Sequence, residues 1–208
     1  ASVGTTAGDA GKSGAITQLA AGLTDSTTLG LTLSDTTSAG AKSGTAVLQV
    51  STDGTGTSGY GASVLGSQVM NVSGKVYRLA VGTPAAASMD LGAVRLNGTF
   101  TAQDLSVSNT ALSTDAFSDR LRIATGSVTN GFTITGSAQT LDAGGAGTLA
   151  VGFGGSTATA GALSGTVGVA LTSVGRAGTG LADVALTPLS VSVSGAVYRP
   201  ATRRMVSM

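Results

Sequence analysis

Thr6-Ala7-Gly8-Asp9-Ala10-Gly11-Lys12-Ser13 ends in the Gly-Lys-Ser of a phosphate-binding loop. In such a loop backbone N–H groups cradle phosphates, the lysine reaches them and the hydroxyl holds magnesium. The head of the pattern requires glycine where this chain has Thr6, whose side chain obstructs close backbone approach. The segment 51–61, Ser-Thr-Asp-Gly-Thr-Gly-Thr-Ser-Gly-Tyr-Gly, carries the oxygens and glycines of a calcium or glycan loop. Calcium takes about six to eight oxygens, several of them carboxylate, and Asp53 is the one carboxylate there. Asp115 and Asp119 form a close carboxylate pair of the kind that serves as acid and base in glycoside hydrolysis. That work needs one raised pKa in a buried cleft, and their Ser/Thr/Asp-rich surroundings read instead as a solvated turn.

Composition removes most other chemistry. There is no cysteine and no histidine, which excludes thiolate and imidazole catalysis and the usual zinc and haem ligands. The sequence therefore predicts no catalytic residues, no metal site, no cofactor and no enzyme. The net charge is +1, with no basic cluster beyond Arg203-Arg204, so there is no electrostatic footprint for nucleic acid or an anionic membrane. No window is apolar for long enough to span a bilayer, and the N-terminus shows no retained signal peptide. Only 10% of residues are charged, against about 25% in ordinary domains. With Thr, Ser, Gly and Ala abundant, this balance predicts an exported surface protein, any export signal being removed or upstream.

The elements that must position these residues are strands. All ten acidic residues are aspartate, and Gly (33), Thr, Ser and Val dominate, which penalises helices and suits strands joined by turns. A repeat organises them. Residues 71–78, Asn-Val-Ser-Gly-Lys-Val-Tyr-Arg, recur at 192–199 as Ser-Val-Ser-Gly-Ala-Val-Tyr-Arg, at an offset of 121. At the same offset 39–45, Ala-Gly-Ala-Lys-Ser-Gly-Thr, recur at 160–166 with Leu163 in place of Lys42. Leu29, Leu31 and Leu33 answer to Leu149, Val151 and Phe153, and the sequence 19–22 answers to 141–144. This alignment sets Gly11-Lys12-Ser13 opposite Thr133–Thr135, a strand or turn, and its continuation removes a helix over 15–23.

The expected architecture is all-β: tandem immunoglobulin-like β-sandwiches, the first one incomplete. Domain one spans 1–83 and lacks about its first 40 residues, domain two spans 84–199 and is complete, and 200–208 form a tail. Alternating apolar and polar residues place strands of the second domain at 89–96, 102–109, 120–128, 132–136, 147–153, 164–172 and 184–197. Asn97-Gly98, Asn130-Gly131 and Gly144-Gly145 supply turns, and 137–145 reads as a turn throughout. A core of Leu, Val, Ile and Ala brings the sheets close and leaves little room for a small-molecule cavity. Tyr77 and Tyr198, at matching strand ends, are assigned packing roles. Alternating Thr at 99–101 and 133–135 invites an ice-binding or adhesive face but equally describes a solvated sheet, and Asn71 and Asn97 head glycosylation patterns.

The motifs Leu91-Gly92-Ala93-Val94, Gly98-Thr99, 105–110, Phe132-Thr133-Ile134, 141–144 and 149–153, followed by Ala160-Gly161 and Ser164-Gly165, resemble the choice-of-anchor D type repeat of ASH-type immunoglobulin-like domains. The resemblance covers the second domain and, through the repeat, most of the first. It implies a seven-stranded sandwich used in tandem as spacer, stalk or interaction module of exported bacterial proteins, with no catalytic residues. The expected function is thus a non-enzymatic structural module, a stalk segment or a filament or layer subunit. An adhesin-type module recognising glycan or protein through its loops is the alternative. Expected partners are proteins, itself as a homo-oligomer or polymer, or the rest of a longer chain, at the bacterial cell surface. An incomplete sandwich can accept a strand from another chain, although the tail 200–208 supplies one strand at most.

Overall fold

A computed structural model describes residues 1–201, so the expected tail 200–208 lies outside the described residues from 202 on. The described chain is all-β, and it contains no helix long and apolar enough to cross a membrane. It divides into two compact units, Ala1–Tyr77 and Arg78–Met208, ahead of the boundary expected after residue 83.

The first unit holds β1 (Ser2–Gly8), β2 (Ala10–Ser13), β3 (Gly30–Leu33), β4 (Gly40–Gly54) and β5 (Tyr60–Val76). Strands β1-β4-β5 make one antiparallel sheet and β2-β3 a second. Its buried apolar side chains are the small ones of Val3, Ala10 and Ala46.

The second unit holds β6 (Gly82–Pro84), β7 (Ser88–Arg95), β8 (Gln103–Asn109), β9 (Arg120–Val128), β10 (Phe132–Thr135), β11 (Gln139–Leu141), β12 (Ala146–Phe153), β13 (Gly161–Val174) and β14 (Val184–Tyr198). They form two facing sheets, ordered β10-β12-β8-β6 and β11-β9-β13-β14-β7, an immunoglobulin-like sandwich. Every expected strand is present. Two more, β6 and β11, went unseen: each has three residues, too few for an alternation, and β11 corrects the reading of 137–145 as a turn.

Alternation does the sorting. Leu105 and Val107 of β8, Phe132 and Ile134 of β10, and Leu149 and Val151 of β12 point into one core with Leu121 and Ile123 of β9, Val167 and Val169 of β13, and Val191 and Val193 of β14. Phe153 closes one end, edge-on to Phe100 at 5.6 Å and to Phe132 at 5.2 Å between centroids, a favoured aromatic geometry. The other end is closed by a polar side chain. Asn109 is fully buried; its Nδ2 donates to the carbonyls of Asp119 and Leu141, and its Oδ1 accepts from the N–H of Val81 and Ala111. One amide thus satisfies four backbone groups, three of them through fully buried bonds. The predicted turns form where left-handed backbone is needed, with Asn97 at φ 62° and Asn130 at φ 53°, and asparagine tolerates that region.

Candidate functional site

The two units share a framework down to the hydrogen-bond register. Strands β4 and β5 pair Gly40 with Val76 and Gly44 with Val72, while β13 and β14 pair Gly161 with Val197 and Gly165 with Val193. In β2 and β3, Ala10 meets Leu33, as Phe132 meets Phe153 in β10 and β12. Even the irregularity recurs. Pairing slips between Thr6–Ala46 and Val3–Leu48 in the first unit, and between Val128–Val167 and Thr125–Val169 in the second. A bulge at the same place fixes the same twist and bend.

The framework differs in both sheets: β12 pairs with β8 as well as β10, while its counterpart β3 pairs with β2 alone among the described residues, and β14 has a neighbour that β5 lacks. In the second unit β7 runs parallel to β14, Ser88 beside Ser192, Met89 beside Val193 and Val94 beside Val197. The Ser192 N–H donates to the Ala87 carbonyl, and the Leu96 N–H donates to the Tyr198 carbonyl. In the first unit β5 is the last strand of its sheet among the described residues. A shallow groove on the outer sheet face shows the same difference. Its floor in the second unit is formed by 129–130, 164–166 and 192–194, with Ser88 and Met89 as a wall; the first unit repeats the floor with 7–8, 43–45 and 71–73 and has no wall.

Burial follows the same line. Val191 is 0% exposed, and Val193 and Val197 are each 2% exposed. Their counterparts Met70, Val72 and Val76 face the same way yet stay half-exposed. At Leu163, which packs on the core of the second unit, the first unit places Lys42, buried at 8% exposure. Its ammonium donates to Asp35 and Ser38, and the Lys42 contact, with help from Thr37, holds the Asp35 carboxyl well below the usual carboxylate range.

The residues singled out for chemistry are engaged in hydrogen bonds within the fold. Lys12 and Ser13 lie within β2, not in a loop, and the Lys12 ammonium donates to the carbonyls of Val3 and Gly4, inside the bulge of β1. The segment 51–61 is mostly hairpin: β4 runs to Gly54, β5 starts at Tyr60, and the N–H groups of Ser58 and Gly59 close the tip on the Gly54 carbonyl. This corrects the reading of 51–61 as a loop. Asp53 accepts from the hydroxyl and the N–H of Thr55, which lower its pKa.

Asp115 and Asp119 are not a solvated pair. Asp115 takes two bonds from the Arg78 guanidinium, 2.8 and 2.7 Å, and one from the Phe117 N–H. The Arg78 bonds, with the Phe117 N–H second, lower its pKa to about 2, the wrong direction for a general acid. Asp119 is buried at 5% exposure and accepts from the Ser173 hydroxyl, which itself accepts from the Ala80 N–H. The packing role assigned to Tyr198 also fails: it is 60% exposed, and what it contributes is its carbonyl to Leu96. Thr99 and Thr101 lie in an irregular segment, so only 133–135 belong to a strand. Asn71 and Asn97 are exposed.

Sequence reasoning missed the β7–β14 pairing. Its one signal was the apolar pattern of 89–96, which gives a strand but not the neighbour or the direction. No family model matches the chain, and no curated protein matches it. Among solved structures it is similar to the ASH / PapD-like domain of human CEP192 (PapD-like domain 7), at 10% identity and a TM-score of 0.39, over 58% of this chain and 87% of that one.

Proposed function

We propose that the chain is a non-enzymatic structural module of an exported bacterial surface protein of the choice-of-anchor D type, a segment of a stalk, filament or layer joined through main-chain pairing at sheet edges. The observation that carries this reading is the doubled framework, shared in register over 40–48 and 161–169 and in the bulge beside β4 and β13, which marks the chain as a tandem of like sandwiches. The low charge and the Thr-, Ser- and Gly-rich composition support export. The engagement of Lys12, Asp53, Asp115 and Asp119 in hydrogen bonds within the fold favours a mechanical role over catalysis. The partner is protein: another copy, or the rest of a longer chain.

Surface biotinylation of intact source cells, followed by electron microscopy of cells lacking the protein, tests this. Labelling of the native protein together with loss or thinning of a surface layer or appendage is the expected result. An unlabelled intracellular protein, or an unchanged surface with loss of a hydrolytic activity, overturns it.

A further inference from the structure

In the second unit the first long strand, β7, and the last strand, β14, lie side by side and run the same way, which fixes what a pull on the chain does to that unit. We propose that the β7–β14 pairing is a load-bearing clamp: tension carried along the polypeptide through the second unit is met there in shear, by all of its main-chain bonds at once. The inference deepens the structural reading above and rests on it only for its setting, since the clamp is a property of the fold wherever the protein resides.

The load path follows from the topology. Tension from the N-terminal side first meets β6, which holds β8 through the pairs Gly82–Asn109, Thr83–Ser108 and Pro84–Val107. Once β6 yields, the pull acts on the start of β7 at Ser88, while the pull from the C-terminal side acts on the end of β14 at Tyr198. Ser88 lies beside Ser192, and Arg95 lies beside Tyr198. The two loaded points therefore sit at opposite ends of the paired stretch, about 20 Å apart at a strand rise near 3.3 Å per residue. Force runs along the strands and across an evenly spaced ladder of bonds. Strands pulled apart from one shared end lose such bonds one at a time; here they must slide as a whole.

Sliding is opposed by bonds and by packing. The Ser192 N–H to Ala87 carbonyl bond, 3.1 Å, and the Leu96 N–H to Tyr198 carbonyl bond, 3.0 Å, bracket the stretch. Between them Leu91 is buried and Met89 packs on the core. A slip of one residue turns Ser88 and Asp90 inward in their place. The register also shifts between Ser194–Asp90 and Ala196–Ala93, where Gly92 stands at φ 82°, and a single alignment matches that offset.

Single-molecule force spectroscopy on the full chain tests this. The chain has no cysteine, so introduced pairs define the pulling points. One geometry pulls the two chain ends; the other pulls Thr99→Cys against Arg199→Cys, which lie past the same end of the strand pair and open it bond by bond. Release of 88–198 lengthens the chain by about 350 Å, whereas residues 1–77 release under about 280 Å, at 3.3–3.6 Å per extended residue. Expected is a second-unit event at higher force in the end-to-end geometry, at equal pulling speed. Leu96→Pro deletes the N–H that meets Tyr198 and suits its turn, in which the Gly98 N–H donates to the Arg95 carbonyl and Asn97 is left-handed. It unfolds the second unit roughly two- to tenfold faster at a given force than Leu96→Ala, which keeps the N–H, as the loss of one load-sharing bond requires. Three results overturn the inference: equal forces in the two geometries, equal rates for the two Leu96 variants, or a second-unit gain broken into small steps. If Leu96→Pro fails to fold, the geometry comparison, which leaves these bonds intact, decides. Geometry dependence in a protein that proves intracellular sinks the surface reading alone, whereas surface labelling without geometry dependence sinks the clamp alone.

Discussion

Val72 and Val193 occupy the same position of the repeated framework, so truncating each to alanine measures how far the two units differ in packing. Val193 is 2% exposed and lies within the core of the second unit. Its truncation removes two methyl groups, each worth about 0.8 kcal/mol of transfer free energy. The cavity left between two facing sheets raises the loss to about 2–3 kcal/mol. In a unit of this size that lowers the thermal midpoint by roughly 6–12 °C. Val72 begins half-exposed, loses about half the transfer term and leaves no closed cavity, so its truncation costs under about 1 kcal/mol. Scanning calorimetry on the full chain checks this, because two units give two transitions that single-domain analysis treats separately. Equal losses for Val72→Ala and Val193→Ala refute the argument, since they require the open face of β5 to be as well covered as that of β14.

Other perturbations test the remaining structural assignments. Asn109→Ala removes the partner of four backbone groups, three of them in buried bonds; at about 1–3 kcal/mol for each buried unsatisfied group, it destabilises the second unit by more than about 3 kcal/mol or prevents its folding, as read by urea denaturation. Asp115 titrates at about 2 in the folded chain, below its unfolded value near 3.9. Its contribution to stability is therefore complete above the unfolded value and is lost as pH falls through about 2. Carboxyl NMR checks this, and in Arg78→Gln the Asp115 resonance titrates closer to the unfolded value. Gly14→Ala introduces a side chain at φ 76° against the Thr28 carbonyl and destabilises the first unit by about 1–3 kcal/mol, whereas Gly161→Ala, with open space around it, changes the second unit's midpoint little.

Much of this was legible because the relevant signals are local. An offset of 121 between 71–78 and 192–199 is visible without any structure, and the register pairs those segments at that offset. Period-two alternation located β9 at its observed limits, Arg120–Val128. Two kinds of information were not local. Asn109 reads as one more strand-end asparagine until four backbone groups from distant segments converge on it. Asp119 sits in a hydrophilic run, yet it is buried and accepts from Ser173, far along the chain. Short-range polarity predicts solvation, and tertiary packing overrides it.

The same distinction bears on the open edge. A single sandwich with an edge strand says little, because most sheets end somewhere and carry lysines or bulges that blunt them. Here the chain supplies its own control: a second copy of the edge, in the same register, with a strand in place. The difference between the copies reaches both sheets: Leu29, Leu31 and Leu33 of the first unit stay half-exposed where Leu149 and Val151 of the second are buried. It includes the inner side chains Met70, Val72 and Val76, which stay half-exposed where Val191, Val193 and Val197 are buried, and Lys75, which replaces Ala196. The inner side chains of β5 lie over the second sheet, which among the described residues has two strands in the first unit and four in the second, so their exposure reports that thinner cover as well as the edge.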